Sequence, residues 1–218
     1  MTPDLFDVSD AGVHEALAPG ACVLRGRALT HESSVLDALE AVFATAPLRR
    51  MLVPGGHRMS VAMTNSGALG WVSDASGYRY VDRDPASGRP WPALPPAWHA
   101  LAASAAHEAG FAGFVPDACL VNVYEPGARL ALHRDADEPD RSQPIVSVSL
   151  GLPATFLFGG LRRSDPTQAV RVAHGDVVVW GGAARLRYHG VRAVPSGMHP
   201  RLGARRVNLT LRKAGPPV

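Results

Sequence analysis

The chain has 218 residues, of which 46% are hydrophobic and 19% charged, and its formal net charge is +3. These values suit one globular domain of moderate size that can bury a core without covalent staples. No apolar run approaches the roughly 20 residues needed to cross a bilayer, which excludes a transmembrane helix. The acidic segment Met1–Asp7 has neither the basic nor the apolar region of a secretory signal. We therefore expect a single-domain, cytoplasmic protein that works without a membrane.

Charge is unevenly distributed along the chain. Residues 1–48 carry seven acidic side chains against Arg25 and Arg27, whereas residues 185–218 carry eight basic side chains and no acidic one. All basic residues except Lys213 are arginine, a bias that a GC-rich genome would also produce. The clustering in position has no such origin, and it favours an anionic ligand or a nucleic acid as partner.

The two cysteines, Cys22 and Cys119, lie far apart in sequence and form no CxxC motif. Isolated cysteines of this kind are typical of a reducing compartment, where they are commonly small buried side chains. We expect both thiols to be free. A disulfide between them is the alternative.

Two segments in the first half of the chain have helical spacing. Residues 33–46 place apolar side chains at intervals of three and four, with Ser33 or Ser34 as the cap and Pro47 after the end. Residues 96–109 begin with a proline in the first turn, where its missing N–H is harmless. We expect both segments to be helices.

The remaining elements are predicted to be short strands. Residues 50–92 are rich in glycine, serine, proline and aromatic side chains, which favours short strands and turns, with one strand at 58–63. From Cys119 onward, β-rich runs alternate with glycine-containing turns. The runs are Cys119–Tyr124, Ile145–Leu150, Thr155–Phe158, Ala169–Ala173, Asp176–Trp180 and Arg206–Arg212. Many short strands at even spacing indicate a β-sandwich or barrel.

His133 and Asp135 are two residues apart and can form part of a metal site. Side chains at i and i+2 of a strand point to the same face, so both can reach one ion, whereas on a helix they would diverge. His189, further along the chain, would complete a set of two histidines and one carboxylate. That set is the facial triad of non-haem Fe(II) oxygenases.

Three alternatives stay open for this site. The HxD pattern also fits a surface histidine followed by one solvated acidic stretch that includes Asp135, Asp137, Glu138 and Asp140. His174 is a competing second histidine, although its neighbours Gly175 and Asp176 are typical of a turn between strands. Zinc is the competing metal, because it accepts the same ligand types.

The segment 206–212 alternates polar with apolar side chains, which indicates a half-buried strand. Its polar face carries Arg206, Asn208, Thr210 and Arg212. Turning such a face inward is unfavourable unless an anion occupies it, and the two arginines can each hold one carboxylate of 2-oxoglutarate. The alternative is an amphipathic edge strand whose arginines lie in water.

Several motifs in this order resemble the AlkB family of oxidative nucleic-acid demethylases. They are HxD at 133–135, His189, RxNxTxR at 206–212, and the flanking segments 60–65, 67–71, 122–127, 144–151 and 174–182. The resemblance covers nearly the whole chain, from about residue 4 to residue 214. It implies a mainly β fold with flanking helices, built as a double-stranded β-helix (jelly-roll) core with an N-terminal nucleotide-recognition lid.

The resemblance also implies how the single domain, 1–218, is organised. Residues 1–48 would form an N-terminal extension and helix, residues 49–95 the nucleotide-recognition lid, and residues 96–214 a helix plus the catalytic core. The lid departs from the family pattern at Val53 and His57. These departures leave lesion range and strand preference open, but not the iron chemistry.

Individual roles follow from the same resemblance. His133, Asp135 and His189 would bind the catalytic iron. The implied contacts to 2-oxoglutarate come from Asn122, Tyr124, Ser147, Trp180, Arg206, Asn208 and Arg212. By family position Trp71 and Tyr78 would stack on the base, and Tyr80 could bond a phosphate or sugar, with a place in the lid core as the alternative for all three rings. Asp137 lies two residues past Asp135, so it could face the same pocket and accept a hydrogen bond from the exocyclic amine of the base, with a solvated charge as the alternative. Arg163 could contact phosphate or substrate, with a surface arginine as the alternative.

The implied reaction is oxidative demethylation of N-alkylated bases such as 1-methyladenine and 3-methylcytosine. Its co-substrates are 2-oxoglutarate and O2, and its products include formaldehyde and succinate. The implied partner of this monomeric enzyme is alkylated single- or double-stranded DNA, with RNA as an alternative. Two other functions stay open: a 2-oxoglutarate-dependent hydroxylase or demethylase of protein or a small molecule, and a non-catalytic nucleic-acid-binding β-sandwich.

Overall fold

The computed structural model describes residues 12–215. The acidic N-terminal segment considered above lies outside the described residues. Within them, no helix is long and apolar enough to cross a membrane.

Two α-helices flank the strands, and both were predicted to within one residue. They are α1, Glu32–Thr45, and α2, Pro96–Glu108. The predicted serine cap of α1 is wrong, because a 3-10 turn runs directly into the helix and places His31 at the cap position without a side-chain hydrogen bond. Ser34 instead donates its hydroxyl to the carbonyl oxygen of His31 at 2.9 Å.

Thirteen strands lie within residues 12–215. In chain order they are β1 His14–Ala18, β2 Ala21–Leu24, β3 Ala62–Gly67, β4 Gly70–Asp74, β5 Gly77–Val81, β6 Ala118–Tyr124, β7 Leu130–His133, β8 Ile145–Gly151, β9 Ala154–Phe158, β10 Gln168–Val172, β11 Val177–Trp180, β12 His189–Val191 and β13 Arg206–Arg212. The six predicted β-rich runs correspond to β6, β8, β9, β10, β11 and β13. The strand expected at 58–63 begins only at Ala62. Strand β7 lies in the segment that the HxD spacing required to be extended, whereas β1, β2 and β12 were not predicted as strands.

The strands form a large sheet, a small sheet and a separate hairpin. The large sheet has the order β1-β2-β11-β8-β13-β6-β3, the small sheet β10-β9-β12-β7, and the hairpin is β4-β5. All neighbouring strands are antiparallel. This two-sheet arrangement confirms the predicted double-stranded β-helix with flanking helices.

Two hydrophobic clusters cover the two faces of the large sheet. One contains the buried side chains of α1 and α2 together with outward-facing strand residues such as Val148 and Leu209. The other lies between the two sheets and includes Ile145, Phe156 and Trp180. The helices therefore close one face of the large sheet, and the small sheet faces the other.

Strand β13 lies in the middle of the large sheet, paired with β6 on one side and β8 on the other. All seven of its residues are buried. Val207, Leu209 and Leu211 belong to the cluster beneath the helices, so the alternate polar side chains face the space between the sheets. The predicted inward polar face is thus confirmed, and the alternative of an edge strand in water is wrong.

Cys22 in β2 and Cys119 in β6 are both buried and free, as expected. Burial, followed by the nearby charge of Glu108, raises the pKa of the Cys22 thiol to about 11. Burial likewise raises the pKa of Cys119. Neither thiol is therefore suited to act as a nucleophile at neutral pH.

Candidate metal and co-substrate site

His133, Asp135 and His189 come together at one end of the small sheet. His133 is the last residue of β7, Asp135 follows two residues later, and His189 opens β12, where it pairs with His133 across the strands. One ligand atom from each of the three lies within 4.8 Å of the others. The predicted triad is thus a group of side chains that can hold one ion.

Backbone carbonyls orient both imidazole rings. His133 Nδ1 lies 2.9 Å from the carbonyl oxygen of Ala131, and His189 Nδ1 lies 3.1 Å from that of Arg187. A carbonyl oxygen only accepts, so each Nδ1 carries the hydrogen and each Nε2 keeps its lone pair for a metal. The two Nε2 atoms face the Asp135 carboxylate at 3.5 and 3.9 Å.

Electrostatics keep the buried ligands deprotonated. Burial, and then the proximity of His133, lowers the pKa of His189 to about 4. Burial alone would raise the pKa of Asp135, but the charge of Arg212 and the two histidines hold it well below its usual range. A neutral imidazole and an ionised carboxylate are the forms that bind a divalent cation.

The lowered pKa of His189 predicts an acid-labile metal-free protein. The unfolded chain takes up this proton near pH 6.5 and the folded chain only near pH 4, so the free energy of unfolding falls as the pH drops through this window. The shift is worth about 3 kcal/mol. We expect chelator-treated protein to lose thermal stability between these pH values, and His189→Gln to show a shallower loss. If the melting temperature fell equally steeply with pH in both proteins, this account would be contradicted.

His174, the competing histidine, lies in the turn between β10 and β11. Its Nδ1 accepts a hydrogen bond from the backbone N–H of Gly151 at 2.9 Å, and its Nε2 faces Glu32 at 3.4 Å. It belongs to no metal-binding group found within residues 12–215. The sequence-based preference for His189 is therefore supported.

The alternative of one solvated acidic stretch is wrong for two of its four members. Asp135 is 8% exposed and Glu138 is 2% exposed, whereas Asp137 is exposed. The chain here alternates between interior and surface, so neighbouring carboxylates have different environments.

Arg212 holds one oxygen of the carboxylate ligand. Its Nη2 and Nε donate to Asp135 Oδ2 at 2.6 and 3.1 Å. Oδ1 is the oxygen that lies 3.5 Å from His133 Nε2. This division suits a carboxylate that offers a single oxygen to a metal while an arginine neutralises the other.

Arg206 is a buried cation with unused hydrogen-bond donors. It is 2% exposed, and its Nε and Nη1 have no hydrogen-bond partner among the described residues. Its Nη2 donates to Ser149 Oγ at 3.1 Å, and its guanidinium lies 4.8 Å from the ring centre of Tyr124. Burial lowers the pKa of Arg206. A buried guanidinium with free donors is suited to bind a carboxylate.

A cavity of about 550 Å³ connects these groups. Asn208 lies on its wall, where its Nδ2 donates to Ser147 Oγ at 2.7 Å and its Oδ1 accepts from Thr210 Oγ1 at 2.9 Å. All seven residues predicted to contact 2-oxoglutarate line this cavity; they are Asn122, Tyr124, Ser147, Trp180, Arg206, Asn208 and Arg212. The structure also adds Thr210, whose place on the polar face of β13 was visible in the sequence but was given no role.

Four of the five predicted substrate residues also line the cavity: Trp71, Tyr78, Asp137 and Arg163. The rings of Trp71 and Tyr78, on the β4-β5 hairpin, are stacked with centres 5.4 Å apart and planes 14° from parallel. Trp71 Nε1 donates to Asp137 Oδ2 at 2.8 Å. Val53 lines the same cavity, so the departure from the family pattern there lies within the site.

Tyr80 differs from the expectation of a phosphate or sugar contact. Its hydroxyl donates to Glu138 Oε1 at 2.6 Å and accepts from Arg212 Nη1 at 3.3 Å. The residue is not among those that line the cavity. Alternation along β5 places Tyr80 and Tyr78 on the same face of the strand, but buried charges hold the Tyr80 hydroxyl inside the protein. Tyr80 is therefore a connection between the hairpin and the core.

Comparison with known proteins agrees with this geometry. Residues 20–212 match the family model of the 2OG-Fe(II) oxygenase superfamily. The class of protein is thus an oxygenase that uses Fe(II) and 2-oxoglutarate, the cofactor and co-substrate for which the triad and Arg206 are suited. The match to this superfamily also decides between iron and zinc as the metal.

Two curated relatives and one solved structure narrow the class. The alpha-ketoglutarate-dependent dioxygenase AlkB of Salmonella typhimurium is 56% identical over 97% of both chains. The AlkB of Escherichia coli is 52% identical over 92% of this chain and 93% of its own. The structure of OsALKBH1 superposes with a TM-score of 0.80 at 27% identity, covering 92% of this chain and 100% of the other. The chain belongs to the AlkB dioxygenases of the 2OG-Fe(II) oxygenase superfamily.

Proposed function

We propose that this protein repairs N-alkylated bases in nucleic acid, of the 1-methyladenine and 3-methylcytosine type, by oxidative demethylation. The observation that carries the proposal is the placement of the stacked Trp71 and Tyr78 rings on the cavity that also contains the triad and Arg206. Aromatic faces beside a polar acceptor are the means by which proteins hold an unstacked base.

Fe(II) held by His133, Asp135 and His189 would supply the chemistry of oxygen activation, with 2-oxoglutarate and O2 as co-substrates. The protein supplies position and charge. Arg206 is proposed to hold the distal carboxylate of 2-oxoglutarate, with Asn208 beside it. Arg212 is already engaged with Asp135 Oδ2, so its proposed contact with the second carboxylate would use its remaining donors.

The base is proposed to lie between Trp71 and His133, with Tyr78 against the outer side of the indole. His133 is partly exposed, at 35% of its side chain, so its ring can pack on the base while Nε2 binds the metal. Asp137 lines the same cavity and can accept a hydrogen bond from an exocyclic amine. Its present bond to Trp71 Nε1 fixes the orientation of both side chains.

Arginines on the cavity supply the positive charge that a phosphate backbone requires. Arg129, Arg134 and Arg163 all line it. Contacts of this kind position a strand without reading its sequence. We propose DNA as the substrate polymer, single- or double-stranded, with RNA as the alternative. The protein is further proposed to act as a monomer in the cytoplasm.

A hydroxylase or demethylase of protein or a small molecule would need the same iron site. The β4-β5 hairpin must therefore distinguish that function from nucleic-acid repair. The stacked aromatic pair and the arginines on the cavity favour a flat, anionic substrate over a peptide. The non-catalytic alternative does not agree with membership of this dioxygenase family.

The Trp71 side chain provides a test of the base-binding role. Base–aromatic stacking is worth about 1–3 kcal/mol, so Trp71→Ala is expected to weaken binding of a 3-methylcytosine-containing single strand roughly 5- to 150-fold. The affinity for 2-oxoglutarate should not change. The measurement is fluorescence anisotropy with Mn(II) and 2-oxoglutarate bound, in place of the reactive Fe(II).

Trp71→Phe is the matched control, because it keeps an aromatic face and should retain most of the affinity. The Trp71 indole also bonds Asp137, so the two variants together separate stacking from that hydrogen bond. If Trp71→Ala bound the methylated strand as tightly as the unchanged protein, the proposed base site would be wrong.

A further inference from the structure

Glu138 and Arg185 form an ion pair directly behind the metal ligands. Arg185 Nη2 donates to Glu138 Oε2 at 2.9 Å, and the two side chains are 3% and 1% exposed. Burying two charges removes their hydration, so a pair of this kind adds little net stability compared with apolar side chains of similar volume. Its location therefore points to a task in the neighbouring site.

Arg185 joins the segments that carry two of the ligands. Its Nη1 donates to the backbone carbonyl oxygen of Asp135 at 2.7 Å, and its Nε donates to that of Gln143 at 2.9 Å. Arg185 itself lies on the segment that leads into His189. The planar guanidinium thus fixes the spacing between the Asp135 and His189 segments in a way that a single-point donor cannot.

Glu138 acts on the carboxylate ligand through Arg212. Its Oε1 lies 3.4 Å from Arg212 Nε, while the same guanidinium binds Asp135 Oδ2 at 2.6 Å. Arg212 is therefore shared between two carboxylates. An arginine devoted wholly to Asp135 would neutralise more of that ligand's charge and weaken its attraction for a cation.

The four buried charges of this group balance one another. Asp135 and Glu138 are negative, and Arg185 and Arg212 are positive. Removing Glu138 would leave two guanidinium groups facing one carboxylate beside the metal position. The resulting excess of positive charge would oppose a divalent cation.

We propose that Glu138 and Arg185 are positioning residues of the metal centre. Arg185 holds the Asp135 and His189 segments at the separation that a metal requires, and Glu138 draws part of the charge of Arg212 away from the carboxylate ligand. Neither residue touches the metal or 2-oxoglutarate in this assignment. Metal affinity, and not fold stability alone, is then the property that they control.

Arg185→Lys tests the proposal, because it keeps the charge but cannot donate the three hydrogen bonds that the planar guanidinium makes. The probe is Co(II), titrated into chelator-treated full-length protein by calorimetry, together with the visible absorption spectrum of the Co(II) complex. Losing the partner of a metal ligand typically weakens metal binding about 10- to 100-fold, and we expect a loss in this range with an altered spectrum.

Arg25→Lys is the matched control. Arg25 is also largely buried, pairs with Asp176 at 2.7 Å and donates to the carbonyl oxygen of Arg171, but these partners lie outside the triad and the segments that carry it. We expect this variant to lower the melting temperature while Co(II) affinity and spectrum stay unchanged. A loss of stability common to both arginine variants can then be told apart from a specific effect of Arg185→Lys on metal binding.

Glu138→Gln is the second variant, and it decides the question if Arg185→Lys does not fold. It has the same volume and removes only the charge, so weaker Co(II) binding is again expected. Variants that melt at lower temperature, yet bind Co(II) with unchanged affinity and spectrum, would show the pair to be purely structural and would overturn the proposal.

Discussion

Asp135→Ala is expected to abolish Fe(II)- and 2-oxoglutarate-dependent turnover and also to destabilise the protein. The carboxylate is both a member of the triad and the main counter-charge of buried Arg212, which donates two hydrogen bonds to it. Breaking a buried ion pair by removing one partner costs about 3–5 kcal/mol. Glu138, 3.4 Å from Arg212, offsets part of that loss, so we expect a value near the lower end.

Turnover is measured as succinate formation, metal binding by Co(II) titration, and stability by denaturant unfolding of the metal-free protein. His174→Ala is the control, since that histidine lies outside the triad and should keep full turnover. Retained turnover in Asp135→Ala, or loss of both turnover and Co(II) binding in a folded His174→Ala, would contradict the assignment of the ligands.

Arg206→Met is expected to remove 2-oxoglutarate binding without destabilising the fold. The guanidinium is buried, two of its nitrogens lack partners among the described residues, and no carboxylate of the described chain neutralises it. Removing one partner of a buried charged contact costs about 2–5 kcal/mol of binding, so the KM for 2-oxoglutarate should rise roughly 30-fold or more. The metal-free protein should keep or gain stability, because methionine needs no counter-charge.

Arg205→Met is the matched control for this variant. Arg205 is the neighbouring residue, donates to the carbonyl oxygen of Leu202 at 3.1 Å, and does not line the cavity. The KM of the Arg205→Met variant for 2-oxoglutarate should be unchanged. If Arg206→Met destabilised the metal-free protein while leaving the KM unaffected, Arg206 would be a structural residue instead of a co-substrate ligand.

The parts of this structure that could be predicted have strong local patterns. The alternation of residues 206–212 predicted a half-buried strand with its polar side chains on one face, because side chains of a strand repeat with a period of two. The inward direction of that face was predicted from the two arginines as a carboxylate site, with a water-facing edge strand as the alternative. The HxD spacing was informative for the same reason, since only an extended chain points both side chains to one ion. The spacing of α1 and α2 gave their bounds to within one residue.

The parts that could not be predicted depend on contacts between distant segments. Glu138 stands in an acidic run that resembles a solvated surface, and only the approach of Arg185 and Arg212 makes it a buried partner. Tyr80 was expected at the substrate for its chemistry, yet the same buried charges hold its hydroxyl inside. Strands β1 and β12 are short, and their pairing with β2 and β7 in their own sheets, not their composition, defines them.

The most direct test of the proposed function is turnover on a methylated single strand. The protein is incubated with Fe(II), 2-oxoglutarate, O2 and an oligonucleotide that contains 1-methyladenine or 3-methylcytosine, and formaldehyde is measured together with the repaired base. We expect both products in equal amounts, with none from the unmethylated strand or from His133→Ala. Succinate formed only at an uncoupled background rate, with no formaldehyde and no repaired base, would contradict the assignment of nucleic acid as the substrate.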